Sequence, residues 1–240
     1  MLIEVCVNSL ESALNAQRAG ADRIELCSEL GVGGITPSYG LIKMVKEQMD
    51  IPIHVLIRPR SGHFTYSKHE FEVMKKDIEF CNGIGINGIV SGILKSDFTL
   101  DIERTEQLIA VSKPMKFTFH RAFDWILNPN EALLQLEEVG VDCVLSSGQQ
   151  TSAEKGLDLL LELKTTSKTC NIMPGGGIGT ENVEKFNKAG FTAIHLSGTS
   201  FENEISVEDK VSMNSIVHLK EGQVAVTNLE TVRQIVRSVK

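Results

Sequence analysis

The sequence predicts a single (β/α)8 barrel of the TIM type, one domain spanning residues 1–240. Three observations lead there. Short runs rich in Val, Ile and Leu alternate with longer amphipathic stretches, each alternation ending in glycine or a polar turn. Eight such units fit a chain of 240 residues, close to the roughly 250 such barrels take. A degenerate repeat also marks the unit boundary: "QRAGADRIELCS", "LEEVGVDCVLSSG" and "FNKAGFTAIHLSG" each run from a helix end through glycine into a strand that finishes in serine. Gly20, Gly140 and Gly190 are then placed to form left-handed C-caps that turn the chain back toward the barrel. The competing architecture is a doubly wound open sheet, but its usual G-x-G-x-x-G turn is absent after "LIEVCV".

In chain order, strands are expected at "LIEVCV", "DRIELC", "IHVLIR", "NGIVSG", "MKFTFH", "DCVLSS", "NIMPGG" and "TAIHLS". Helical periodicity occupies "SLESALNAQRAG", "SYGLIKMVKEQM", "DIERTEQLIAVS" and "NPNEALLQLEEVG", with a further helix opened by Thr180 and a last one at "LETVRQIVRSVK". The polar, poorly periodic stretch after "LSGTS" reads as a long insertion that covers the barrel mouth or pairs subunits.

Strand parity assigns faces. Ile3, Val5, Val7, Ile24 and Leu26 point outward against helices, leaving Glu4, Cys6, Glu25 and Cys27 inside. The same parity places His54, Leu56, Arg58, Thr118, His120, His195 and Ser197 inside. The motif Glu-x-Cys therefore occurs twice on neighbouring strands, facing one interior, where strands roughly 4.8 Å apart bring two thiols within reach of each other. Buried carboxylates need counter-charges, and Arg58 and His120 are the candidates to offset Glu4 and Glu25.

Composition narrows the function classes. A formal net charge of −7 opposes a general role in binding nucleic acid or anionic lipid, and a 42% hydrophobic content supports a sizeable core. No apolar run approaches the roughly 20 residues of a membrane span, and the N-terminus carries neither a basic nor an apolar targeting region, so a cytoplasmic protein without membrane contact is expected. The five cysteines are odd in number, dispersed and without C-x-x-C, so a disulfide framework or zinc ribbon is not expected. Cys81, Cys143 and Cys170 read as packing residues and His54 as a core residue. His63 and His69 read as solvated, and His218 carries no motif.

The segments "IEVCVNS", "GADRIELCSELGVGGITPS", "IRPRSGHFTYS", "TFHRAFD", "LSSG" and "MPGGGI", in that order, resemble the CutC family of copper homeostasis proteins over nearly the whole chain. The resemblance implies a TIM barrel, a cytoplasmic homo-oligomer, and Cu(I) bound by two cysteines that correspond to Cys6 and Cys27. Thiolates are soft ligands suited to that ion. One departure is His63, where the family usually carries Asp after "RPRSG".

A second reading comes from the residues themselves. Glu4, Glu25, Arg58, Arg60, His120 and Asp124 form a mouth richer in acids, bases and guanidinium groups than a copper carrier requires. In "MPGGGIGTENVEKF", Gly175, Gly176 and Gly177 follow the seventh strand, and with Ser197 and Gly198 after the eighth they form a loop pair suited to an anion. An enzyme acting on a small anionic molecule would use Arg58 and these loops for binding. Glu25 or His120 would serve as general base beside Asp124, for proton abstraction, aldol-type cleavage or hydrolysis.

Overall fold

The computed structural model describes residues 1–202, 210–211 and 224–240. Eight parallel strands, β1 (Leu2–Val7), β2 (Arg23–Leu26), β3 (Ile53–Leu56), β4 (Gly88–Ser91), β5 (Lys116–Phe119), β6 (Cys143–Ser146), β7 (Asn171–Pro174) and β8 (Ala193–Leu196), pair in the order β7-β6-β5-β4-β3-β2-β1-β8. A parallel bridge between Gly175 and His195 joins the two ends, so the sheet closes into the predicted barrel. Each strand falls inside its expected run.

Between strands lie α1 (Leu10–Ala19), α2 (Tyr39–Gln48), α3 (Lys68–Gly83), α4 (Ile102–Ser112), α5 (Pro129–Glu138), α6 (Leu157–Thr166) and α7 (Val183–Lys188), with α8 (Leu229–Val239) closing the chain. Local chemistry sets their starts. Ser9, Ser38, Asp101 and Asn228 each accept a hydrogen bond from a first-turn N–H, and Ser67 with Glu70 forms a reciprocal capping box ahead of α3. Gly20, Gly140 and Gly190 adopt φ of +91°, +87° and +72°, the left-handed values their placement called for. The seventh helix begins at Val183 and not at Thr180, because Asn182 spends its side chain on Gly177 O and Gly179 N instead of letting the chain coil earlier.

The faces follow parity. Ile3, Val5, Val7, Ile24 and Leu26 belong to the large core between sheet and helices, together with Cys81 and Cys170. Two separate clusters fill the interior: Cys6, Cys27, Leu56 and Val90 on one side, and Cys143, Leu145, Met173 and Ala193 on the other. His69 lies in the first turn of α3 and is exposed, as expected.

After β8 the chain forms β9 (Thr199–Glu202), antiparallel to β10 (Val224–Thr227), with Thr199 opposite Thr227 and Glu202 opposite Val224. The inserted stretch expected to cover the mouth or pair subunits lies largely outside the described residues, as does His218. Among the described residues no helix is long and apolar enough to cross a membrane.

Candidate functional site

Register explains what meets inside the barrel. Glu4 is level with Arg23 on β2 and His195 on β8, while Glu25 is level with Cys6 on β1 and His54 on β3. Glu4 is fully buried, its Oε2 lying 2.5 Å from Arg23 Nε and its Oε1 2.8 Å from His195 Nδ1. His54 Nδ1 is 3.9 Å away, and its ring occupies the space over Gly88, where a Cβ would come within 2.5 Å of Nε2. The counter-charges to Glu4 are therefore Arg23 and His195, not Arg58 and His120 as parity alone suggested. Glu4 forms the floor of the site and does not line its mouth.

These contacts set the protonation states. Burial pushes the Glu4 carboxyl up, but the hydrogen bond from His195 and the charge of Arg23 outweigh it and hold the group at about 2. Glu25 goes the other way: burial raises it to about 7, opposed by His195 at 3.7 Å and reinforced by Glu4. Burial would lower His195, yet the charge of Glu25 and the hydrogen bond to Glu4 raise it. Burial takes His54 down to about 4, so the neutral ring is its state near pH 7.

Above this floor the two Glu-x-Cys motifs converge. Cys6 Sγ lies 3.6 Å from Cys27 Sγ and 3.9 Å from Glu25 Oε1. All five cysteines are free thiols. Contact with Cys27, burial, and the carboxylates of Glu25 and Glu4 push the Cys6 thiol well above its ordinary value. Among the described residues Cys6, Glu25 and His195 offer ligand atoms all within 4.8 Å of one another. Cys6 faces the mouth, a cavity of about 460 Å³ at the C-terminal end of the strands, whereas Cys27 is wholly buried behind it.

The remaining predicted residues take varied positions. Arg58 does line the cavity, but its guanidinium mainly staples loops, donating from Nη1 to Val32 O and Gly34 O and from Nη2 to Gly62 O. Arg60 pairs with Glu70 at 2.5 Å and with the carbonyls of Ser61, His63 and Thr65, which takes it out of the mouth. His120 Nδ1 accepts from Ala122 N–H at 3.1 Å, and burial with the charge of Arg58 lowers the ring to about 3. The neutral ring then carries its proton on Nε2, which makes His120 a donor with no free lone pair for use as a base.

Asp124 is enclosed by donors: Arg121 Nε, Ser146 Oγ and the N–H groups of Ser147 and Gln149 all reach its oxygens. Gly176, Gly177 and Ser197 line the cavity. Gly175 N–H donates to Ser146 O in the sheet, and Gly198 seats α8, where an added Cβ would meet Val232 Cγ2 at 2.8 Å. His63, the departure from the resembled pattern, is exposed in the loop after β3, and its Nδ1 accepts from Thr65 N–H at 3.3 Å.

Residues 1–200 match the model of the CutC family. The chain belongs to the CutC family. CutC family proteins of Enterobacter sp. (strain 638) and Photorhabdus laumondii are 46% and 47% identical to it over 196 and 197 residues, in each case 82% of this chain and 79% of the relative. A crystal structure of CutC from Streptococcus agalactiae, to which a role in copper homeostasis has been ascribed, superposes with a TM-score of 0.78 at 31% identity, covering 82% of this chain and 98% of that one. The CutC match ends at residue 200, within β9, so β10 and α8 fall beyond it.

Two residues of this CutC-family site were missed by sequence reasoning. Arg23 shares the inward parity of Glu25 and Cys27, a signal that was available, but its pairing with Glu4 shows only once the register of β1 against β2 is known. Arg121 follows His120 out of the strand, and only the folded loop shows its guanidinium resting on Gly176. Inward parity of His195 was the available signal for its place beside Cys6.

Proposed function

We propose that this protein binds Cu(I) at the barrel mouth through Cys6 and Cys27. The observation that carries the reading is the 3.6 Å approach of two reduced sulfurs from neighbouring strands. Soft thiolates select Cu(I) over harder ions. With metal–sulfur bonds of about 2.3 Å, that separation closes to an S–metal–S angle of about 100°, bent and therefore open to a third ligand. Glu25 and His195, gathered around Cys6, are the groups placed to supply it. Glu4 orients His195 through Nδ1, the carboxylate–histidine support typical of metal ligands, and leaves Nε2 for the ion.

Because the Cys6 thiol is held protonated by its surroundings, uptake of the ion releases protons and weakens as pH falls. Unbridged thiols also suit a reducing compartment, which supports a cytoplasmic setting. Anaerobic Cu(I) titration against a competing chelator tests the reading. Stoichiometric binding in the parent and its loss in Cys6→Ser with Cys27→Ser are expected. A parent that fails to compete with the chelator, or a double variant that binds as tightly as the parent, would sink it.

A further inference from the structure

The mouth contains more than a thiol pair, and its unused polar atoms share one character. Among the described residues Arg58 Nε and His120 Nε2 are buried without a well-formed hydrogen bond, in residues each only 6% exposed, although Arg58 also reaches toward the Tyr66 hydroxyl. Both residues line the cavity, and both unmatched atoms are donors, His120 because Ala122 N–H already occupies Nδ1. Arg121, which also lines the cavity, spends Nε on Asp124 and Nη2 on Ser147 Oγ, each at 2.8 Å, and donates no hydrogen bond from Nη1 among the described residues. The N–H of Gly177 has no partner among the described residues.

Buried donors without acceptors are costly and therefore rare. Two of them beside one cavity, together with the open edge of Arg121 and the Gly177 N–H at its rim, give the mouth a donor-rich character suited to an acceptor-rich ligand. The exception is Glu25 Oε2, which lies toward the thiol floor within 3.7 Å of His195 Nδ1.

We propose that the mouth is also a binding site for a small organic oxyanion, a phosphate or carboxylate group on an apolar body. Its charged end rests on Arg121 and the backbone of Gly177, which line the cavity beside His120. The seventh loop is shaped for this. Gly176 has no side chain, and a Cβ there would stand 3.3 Å from the Arg121 guanidinium carbon, so the guanidinium lies directly against the loop. Asp124 holds Arg121 in place without consuming its whole fork, and its own oxygens are already turned to Ser146, Ser147 and Gln149.

The apolar body is implied by the surface beside these residues, where Phe64 packs against the His120 ring at 4.9 Å and the Arg58 guanidinium at 5.0 Å. Phe64 and Trp125 meet edge to face with centroids 5.0 Å apart, and both line the cavity along with Leu30 and Val32. A bare inorganic ion would leave these surfaces uncovered. Arg121 thus takes the anchoring role that sequence parity gave to Arg58, whose guanidinium is committed to three backbone carbonyls.

The test uses the metal-free protein in the presence of a chelator, so that its outcome is read independently of the copper proposal. Uniformly 15N-labelled parent is titrated with phenyl phosphate, benzoate and inorganic phosphate while the backbone amides are followed by NMR. Saturable shifts at Gly177 with phenyl phosphate or benzoate, and tighter binding of phenyl phosphate than of inorganic phosphate, are expected; the stronger of the two aromatic anions identifies the headgroup. Arg121→Gln weakens that ligand by about tenfold or more. Trp125→Ala weakens phenyl phosphate while leaving inorganic phosphate as it was. Absence of saturable shifts at Gly177 with either aromatic anion below roughly 10 mM overturns the proposal. So does an Arg121→Gln protein that binds like the parent.

Discussion

Glu4→Gln removes the carboxylate that Arg23 and His195 share, while keeping the shape of the side chain. A carboxyl held at about 2 in the fold against an ordinary 4.5 contributes about 3 kcal/mol of stability at neutral pH. An independent argument gives a similar figure, since removing one partner of a buried ion pair costs about 3 to 5 kcal/mol by leaving the other uncompensated. Arg23 is 14% exposed at its side chain, so some of its charge can reach water, and the lower end of that range is expected. Because the folded value is depressed, the contribution is complete above about pH 4.5 and disappears as the pH falls toward 2. Denaturant unfolding of parent and variant should therefore show a gap of about 3 kcal/mol at pH 7 that narrows steadily below pH 4.5. A gap of the same size at pH 3 and pH 7, or one below about 1 kcal/mol at pH 7, would refute the view that this carboxylate is charged and paired in the floor.

Glu137 offers the same test outside the site. Its Oε1 collects the N–H groups of Lys168, Thr169 and Cys170 at 2.7, 2.8 and 2.9 Å, which outweigh the effect of burial and hold it at about 2. Because solvent screens this partly exposed carboxylate, Glu137→Gln should cost only about 1 kcal/mol at pH 7 in urea unfolding, with the difference closing as pH falls from 4.5 toward 2. Gly34→Ala would place a Cβ 2.7 Å from Leu56 Cδ2 and 3.3 Å from Cys27 Cβ at a φ of +84°. A loss of about 2 to 4 kcal/mol, read from the unfolding midpoint, should accompany weakened Cu(I) competition. Cys6 alkylation by iodoacetamide, mapped by mass spectrometry, should be slow at pH 7 and rise roughly tenfold per pH unit past pH 9, because its thiol is held protonated. Fast modification at neutral pH would contradict that electrostatic picture.

The barrel was legible because period and parity are local properties. Alternation along "IEVCV" and "RIEL" separates Glu4, Cys6 and Glu25 from Ile3, Val5 and Ile24 without knowledge of any other strand. The convergence of Cys6 on Cys27 needed only the added assumption that consecutive strands are neighbours. Partnership across strands was not legible, because it depends on stagger: one step of register decides whether Glu4 meets Arg23 or some other residue. Arg58 illustrates a different limit. Its position pointed inward as expected, but its reach to the carbonyls of Val32, Gly34 and Gly62 is set by the path of two loops that carry no periodic signal. The start of α7 failed for a similar reason, since Asn182 competes for the loop backbone in a way that a Thr-led helix pattern conceals.

The packed ionic floor has a topological consequence. With Glu4, His54 and Arg23 filling the axis beneath Cys6, and Cys143, Leu145 and Met173 beside them, the cylinder is a cul-de-sac and not a conduit. Among the described residues Cys6 is reached from the mouth alone, so under the proposed copper role an ion would be handed over ligand for ligand to an acceptor leaning into that opening. The acceptor's own donor atoms would then govern how fast such an ion moves on.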